Sequence, residues 1–142
     1  MSAKNDARRK WGGGHWITPV RRIGIYLRDS MACVWCESGV EDGIQLSLDH
    51  LKCNVKGGGN ENANLITCCT HCNSTRAHRS VTAFARVLAA YLNHGVTPEQ
   101  IVRRVRAAAR REVPIAQARE LLAARGGIKE VVNNHQPKGE TK

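Results

Sequence analysis

Aromatic side chains are scarce in this chain: one Phe, two Tyr and three Trp, 4% of 142 residues. A core built almost wholly of aliphatic residues is modest at this length, so a metal staple would help to hold it. The length itself fits one domain, with room for a helical appendage. Acidic residues are also few, 12 Asp and Glu against 22 Lys and Arg, which leaves a formal net charge of +10 and a pI near 9.8. Such a surplus favours a polyanion, usually nucleic acid. A basic protein without that partner is the plain alternative. No run of 18 apolar residues occurs, so no membrane span is expected. The stretch Met1 to Lys10 is polar and does not read as a secretory leader. The expected setting is therefore a reducing cytoplasm, where paired cysteines bind metal more often than they form disulfides.

The charge is unevenly spread. Residues 1–30 carry seven Lys and Arg against two acids, and residues 76–125 carry ten Arg, three Glu and no Lys. Between them, residues 31–75 carry two Lys against five acids. An acidic centre with basic flanks suits a site where carboxylates attract a divalent ion while Arg holds phosphate nearby.

Along the chain, residues 1–16, whose basic residues lead into Gly12-Gly13-Gly14, read as a flexible basic arm or a plain frayed terminus. Thr18-Pro19 reads as an N-cap with Pro at the first helical position, and Val20, Ile23 and Leu27 give a helix over about 19–30. Arg21, Arg22 and Arg28 fall mostly off its apolar face. Gln45–Leu51 alternates as a strand, with Leu46, Leu48 and His50 on one face and Ser47 and Asp49 on the other. Residues 55–63 form a glycine-rich loop, Asn64–Cys68 a returning strand, and a helix begins near Thr70. Val81, Phe84, Leu88 and Tyr91 mark the next helix. Thr97-Pro98-Glu99-Gln100 is a capping box opening another, with Ile101, Val102, Val105, Ala108 and Ala109 on one arc. A last helix runs from Pro114 to Gly126-Gly127, its Ile115, Ala118, Leu121 and Leu122 inward. Residues 128–142 read as a loose polar tail.

Two local patterns carry chemistry. Cys33-x-x-Cys36 and Cys69-x-x-Cys72, separated by the strand hairpin, form a four-thiolate set suited to structural zinc. Cys53 and Cys68 are left over and read as core residues. The Asp49-His50 pair lies between these cysteine pairs, with Asn64 and Asn73 downstream. A histidine suits general-base work because the free imidazole titrates near neutrality, and an adjacent Asp suits a metal ligand.

Taken together, Leu48-Asp49-His50, Asn64-Leu65 and Cys69-x-x-Cys72-Asn73 resemble the HNH endonucleases, which have the ββα-metal fold. Tyr26-Leu27-Arg28-Asp29 leading to Cys33-x-x-Cys36 is similar to the lead-in of a zinc-bearing HNH domain. The resemblance covers roughly residues 20–79. It implies an α+β fold: a hairpin-plus-helix core with a four-cysteine zinc site, flanked by an N-terminal helix and a C-terminal helical extension. It also implies that His50 is the general base, that Asn64 orients it through loop hydrogen bonds, and that Asp49 and Asn73 hold one divalent ion, Mg²⁺, Mn²⁺ or another transition metal. Cys33, Cys36, Cys69 and Cys72 would hold the structural zinc, and Arg76 would face phosphate. Asn73 stands where His is frequent in the family, which favours harder ions. His78 is the runner-up ligand, and His71 points elsewhere. The implied setting is that of a small phage or prophage nuclease beside the DNA-packaging proteins, in the host cytoplasm.

The expected organisation is a basic arm (1–16), a nuclease core with its zinc (17–79), a basic helical extension (80–127) and a polar tail (128–142). The expected function is metal-dependent hydrolysis of DNA phosphodiester bonds, by nicking or double-strand cleavage. A zinc-bearing nucleic-acid-binding module without catalysis is the alternative. Phosphate contacts are expected from Arg76 and Arg79 and from the arginine arc of residues 103–111: Arg103, Arg104, Arg106, Arg110 and Arg111. That arc has a second reading as a solvated helix face. Arg makes forked contacts with phosphate that Lys cannot.

Overall fold

The computed structural model describes residues 16–53 and 57–135. The expected basic arm, Trp16 apart, and the tail from residue 136 lie outside the described residues. The described residues form an α+β fold of six helices and one two-stranded antiparallel sheet. In chain order these are α1 (Pro19–Arg28), β1 (Leu46–His50), β2 (Leu65–Cys69), α2 (Thr70–Arg76), α3 (Val81–Leu92), α4 (Pro98–Arg110), α5 (Ile115–Arg125) and α6 (Ile128–Asn133).

Local chemistry starts the helices where the sequence indicates. The Thr18 hydroxyl accepts from Arg21 N at 3.2 Å ahead of α1. Ser80 does the same for Ala83 N at 3.1 Å ahead of α3. Thr97 and Gln100 close a reciprocal capping box on α4. Each such cap contributes about 1 kcal/mol.

The hairpin pairs Leu46 with Cys69 through His50 with Leu65. All five residues of β2 are buried, because the strand has a core on each side. On one side Ile66 and Cys68 pack with Trp35, Phe84, Ile101 and Val105. On the other, Leu65 and Leu48 join Ile23, Ile25, Met31, Val113 and Ala118. The free edge of β2 is covered: Thr67 N donates to Asp29 Oδ2 at 2.9 Å, and Thr67 O accepts from Val34 N at 2.9 Å. Backbone groups that would invite another strand are thereby satisfied.

The helices after residue 80 are not an appendage. α3 and α4 supply Val81, Phe84, Leu88, Ile101, Val105 and Ala108 to the same core as the cysteines. α5 packs on α1 through Ala118, joined by Val113 from the segment before it. There Gly24 permits the approach: a Cβ built on it would lie 2.6 Å from Val113 Cγ1.

Several expectations are corrected. Residues 128–133, expected as loose tail, form α6, anchored by buried Val131. Tyr91, grouped by helical spacing with Val81, Phe84 and Leu88, is 70% exposed, unlike those three. Arg28, expected off the buried face of α1, is itself buried. Its guanidinium forks onto Asp29 at 2.9 and 3.1 Å and also donates to the carbonyls of Leu65, Asn62 and Ala109. One arginine thus ties α1 to β2 and to the end of α4.

Candidate active site and metal centre

The four expected zinc ligands come together. Cys33 and Cys36 lie on the turn after α1, where Cys36 N donates to Cys33 Sγ at 3.4 Å. Cys69 ends β2 and N-caps α2, with Cys72 N donating to Cys69 Sγ at 3.3 Å. All four sulfurs lie within 4.8 Å of one another, and Cys36 Sγ is 3.9 Å from Cys69 Sγ. A tetrahedral ion with Zn–S bonds of about 2.3 Å needs sulfurs roughly 3.8 Å apart. No disulfide links them. Three of the thiols crowd one another: hydrogen bonds from Cys33 and then Cys72 hold Cys36 far below the usual thiol range. Its contact with Cys36 pushes Cys33 up to about 12, and Cys72 is pushed up by its contacts with Cys33 and Cys36. A dication is what would let all four be thiolates at once. The set is compatible with zinc in geometry and in chemistry. Cys68, beside it, is fully buried, and burial drives its thiol upward, as befits an inert core residue.

His50 ends β1 with its ring against Trp16, centroids 5.1 Å apart. Its Nε2 lies 2.7 Å from Asn60 Oδ1. That oxygen can only accept, so the contact assigns the proton to Nε2 and the lone pair of the neutral ring to Nδ1. Asn60 sits in the loop between the strands, and Asn64 closes that loop. Asn64 Oδ1 accepts from Lys52 N at 3.0 Å, and its Nδ2 donates to Lys52 O at 2.9 Å and Gly59 O at 2.8 Å. The loop is so tight that a Cβ at Gly58 would fall 1.7 Å from Lys52 O, which only glycine avoids. From α1, Arg21 donates to Asn60 O and forks onto Asn62 Oδ1 at 3.0 and 2.8 Å. Asn64 therefore bears on His50 through the loop, and the side chain in contact is Asn60.

Asp49 points to the opposite face of β1 and is buried. Its Oδ2 accepts from Trp35 Nε1 at 2.9 Å and from Arg76 Nη1 at 2.7 Å. Arg76, 3% exposed, also donates to the carbonyls of His50 and Leu51 at 2.8 and 2.6 Å. Its guanidinium lies 5.3 Å from the Trp35 ring centroid. Arg76 thus serves the hairpin from within. Asn73 is exposed in the middle of α2. Apart from the cysteines, no other group of three or more His, Cys, Asp or Glu side chains comes together among the described residues.

The arginine arc on α4 divides. Arg103, Arg106, Arg110 and Arg111 are exposed, as is Arg79 in the turn after α2. Arg104 turns inward: its Nε and Nη2 donate to the carbonyls of Val34 and Trp35 at 3.1 and 2.6 Å, and it pairs with Glu37 at 3.5 Å. It braces the first cysteine turn. Asn60, Arg21, Trp16 and Trp35 were not singled out by the sequence. The only local hint was an Asn beside three glycines in a loop bounded by Asp49-His50 and Asn64. No protein-family model, curated protein or solved structure matches the chain.

Proposed function

We propose that this chain is a zinc-stabilised, metal-dependent endonuclease of the HNH type that hydrolyses phosphodiester bonds in DNA. The observation that carries the reading is the seat of His50: Nε2 on Asn60 Oδ1 at 2.7 Å, in a loop closed by Asn64. A histidine fixed on one nitrogen at a strand end presents the other to solvent-borne reactants. That is what a general base requires and what a packing histidine does not. His50 Nδ1 takes a proton from water, whose oxygen bonds to phosphorus as the bond to the leaving sugar oxygen breaks. With Oδ2 of Asp49 held by Trp35 and Arg76, Oδ1 is the oxygen it would offer to an ion, and Asn73 would be the second ligand. A divalent ion bound there would neutralise charge on the phosphate and the leaving oxygen. Two protein oxygens are few, so water and phosphate would complete its shell. Cys33, Cys36, Cys69 and Cys72 would hold zinc, which fixes β2 and α2 against the turn after α1. Exposed Arg79, Arg103, Arg106, Arg110 and Arg111 give the polyanion its landing surface.

One observation favours the alternative, a zinc-bearing nucleic-acid-binding module without catalysis: the burial of Asp49 in an ion pair with Arg76. Supercoiled plasmid separates the two. The enzyme nicks it with Mg²⁺, Mn²⁺ or Ni²⁺, and EDTA stops the reaction. The module shifts it on a gel and leaves it intact under every condition.

A further inference from the structure

A cleft of about 370 Å³ lies beside the hairpin, between the loop after β1, the α2–α3 turn and α4. Lys52, Arg79 and Arg106 line it from these three places, with Arg76 at its floor and His78 on its wall. Among the described residues, no carboxylate lines it. Arg76 is neutralised by Asp49, whereas Lys52, Arg79 and Arg106 are exposed. Ser80, Val81 and Thr82 complete the wall. They are the N-cap and first two residues of a twelve-residue helix with no acid in its first turn, so the amides of Val81 and Thr82 have no partner within the helix. Three separate stretches of chain thus bring cationic side chains and a helix N-terminus to one concavity that no carboxylate lines among the described residues. The floor of that concavity also binds the carbonyls of His50 and Leu51.

We propose that this cleft seats a backbone phosphate of the nucleic acid, next to the phosphate at His50, with Lys52, Arg79 and Arg106 as its cationic contacts. The proposal rests on the nuclease reading for the identity of the polyanion and goes beyond it in naming the seat. It selects Arg106 from the arginine face of α4 and adds Lys52, which shares its loop end with the Asn64 latch. A phosphate here makes Asn64 a bridge between substrate binding and the loop that holds His50.

The test is equilibrium binding of a labelled DNA duplex in EDTA, where nothing is cut, over a range of salt concentrations. The Lys52→Ala/Arg106→Ala variant is compared with Arg86→Ala/Arg119→Ala, which removes the same charge from exposed positions outside the cleft. Each lost phosphate contact flattens the slope of log K against log salt by about 0.9. The cleft variant, which loses one seated phosphate, should therefore flatten it by about 0.9, and the control should leave it unchanged. Zinc content equal to wild type shows that both variants are folded. Equal slopes for the two variants, or an unchanged slope in the cleft variant, overturn the proposal. So does a chain that binds inorganic phosphate saturably through Lys52 but does not bind the duplex, which would make the ligand a small phosphate compound. Failure of the nuclease reading looks different: no metal-dependent nicking, with the slope difference intact.

Discussion

At Asn60 a single amide oxygen sets the direction of the imidazole that the proposed chemistry depends on. Asn60→Ala should keep the fold, because the loop remains closed by Asn64 and by Arg21 on Asn62. It should lower the cleavage rate by roughly 10- to 100-fold, the range for losing a partner that orients a metal-ligating histidine. It should also move the pH–rate profile, which a purely structural residue would not. Asp49 behaves differently. Its carboxylate is the acceptor for two buried donors, so Asp49→Ala leaves the Arg76 charge unpaired, at a cost of about 3–5 kcal/mol. Asp49→Asn keeps an acceptor and should cost clearly less. Urea denaturation of the two variants checks this, and equal stability would show that the carboxylate does not hold the hairpin. The sequence made His50 and Asp49 legible because strand alternation is a local rule. It hid Asn60, Trp35 and Arg21, whose partners are chosen only when the loop closes and the turn after α1 docks.

Among the elements, α4 reinforces the first cysteine turn, adding to the turn's own bonds from Cys33 N to Ser38 O and from Glu37 N to Cys33 O. Arg104 reaches the carbonyls of Val34 and Trp35 across about seventy positions of sequence, and charged donors to carbonyls contribute about 1.5–3 kcal/mol. Arg104→Ala should therefore lower stability by that order and speed loss of metal to a chelator, while the salt dependence of DNA binding stays as in wild type. A flattened salt slope instead would return Arg104 to the phosphate-binding surface. Helix faces predicted from periodicity hold for Ile101, Val105 and Ala108 on α4, since 3.6-residue spacing depends on local geometry alone. The same rule misplaces Tyr91, because the last turn of α3 packs on the core through Ala89 and Leu92 and leaves Tyr91 exposed. It also treats five arginines as one face when a carbonyl pair lies within reach of one of them. The helix α6 was hard to read because it is only six residues long, with Val131 buried and Ile128 and Val132 partly buried beside it.

For the molecule as a whole, the small aromatic complement is offset by one four-thiol cluster and two buried arginine–carboxylate pairs, Arg28 with Asp29 and Arg76 with Asp49. The cysteines were the most legible feature, because Cys-x-x-Cys spacing is fixed by ligand geometry. The arginine pairs were not, since each joins elements far apart in sequence. About one tightly held zinc per chain is expected. Cys72→Ser should lose it and unfold the domain at lower temperature, because structural zinc contributes folding free energy directly. Cys53→Ser should keep it, and full zinc by elemental analysis in the Cys72 variant would remove the assignment. The central claim is that His50 is a general base, and the most direct measurement is the initial rate of plasmid nicking with Mn²⁺ by wild type and by zinc-replete His50→Ala. Loss of a positioned base costs about 10²–10⁴-fold, so the variant should fall by that factor while binding DNA with unchanged affinity. Nicking by the folded variant at the wild-type rate would contradict the account.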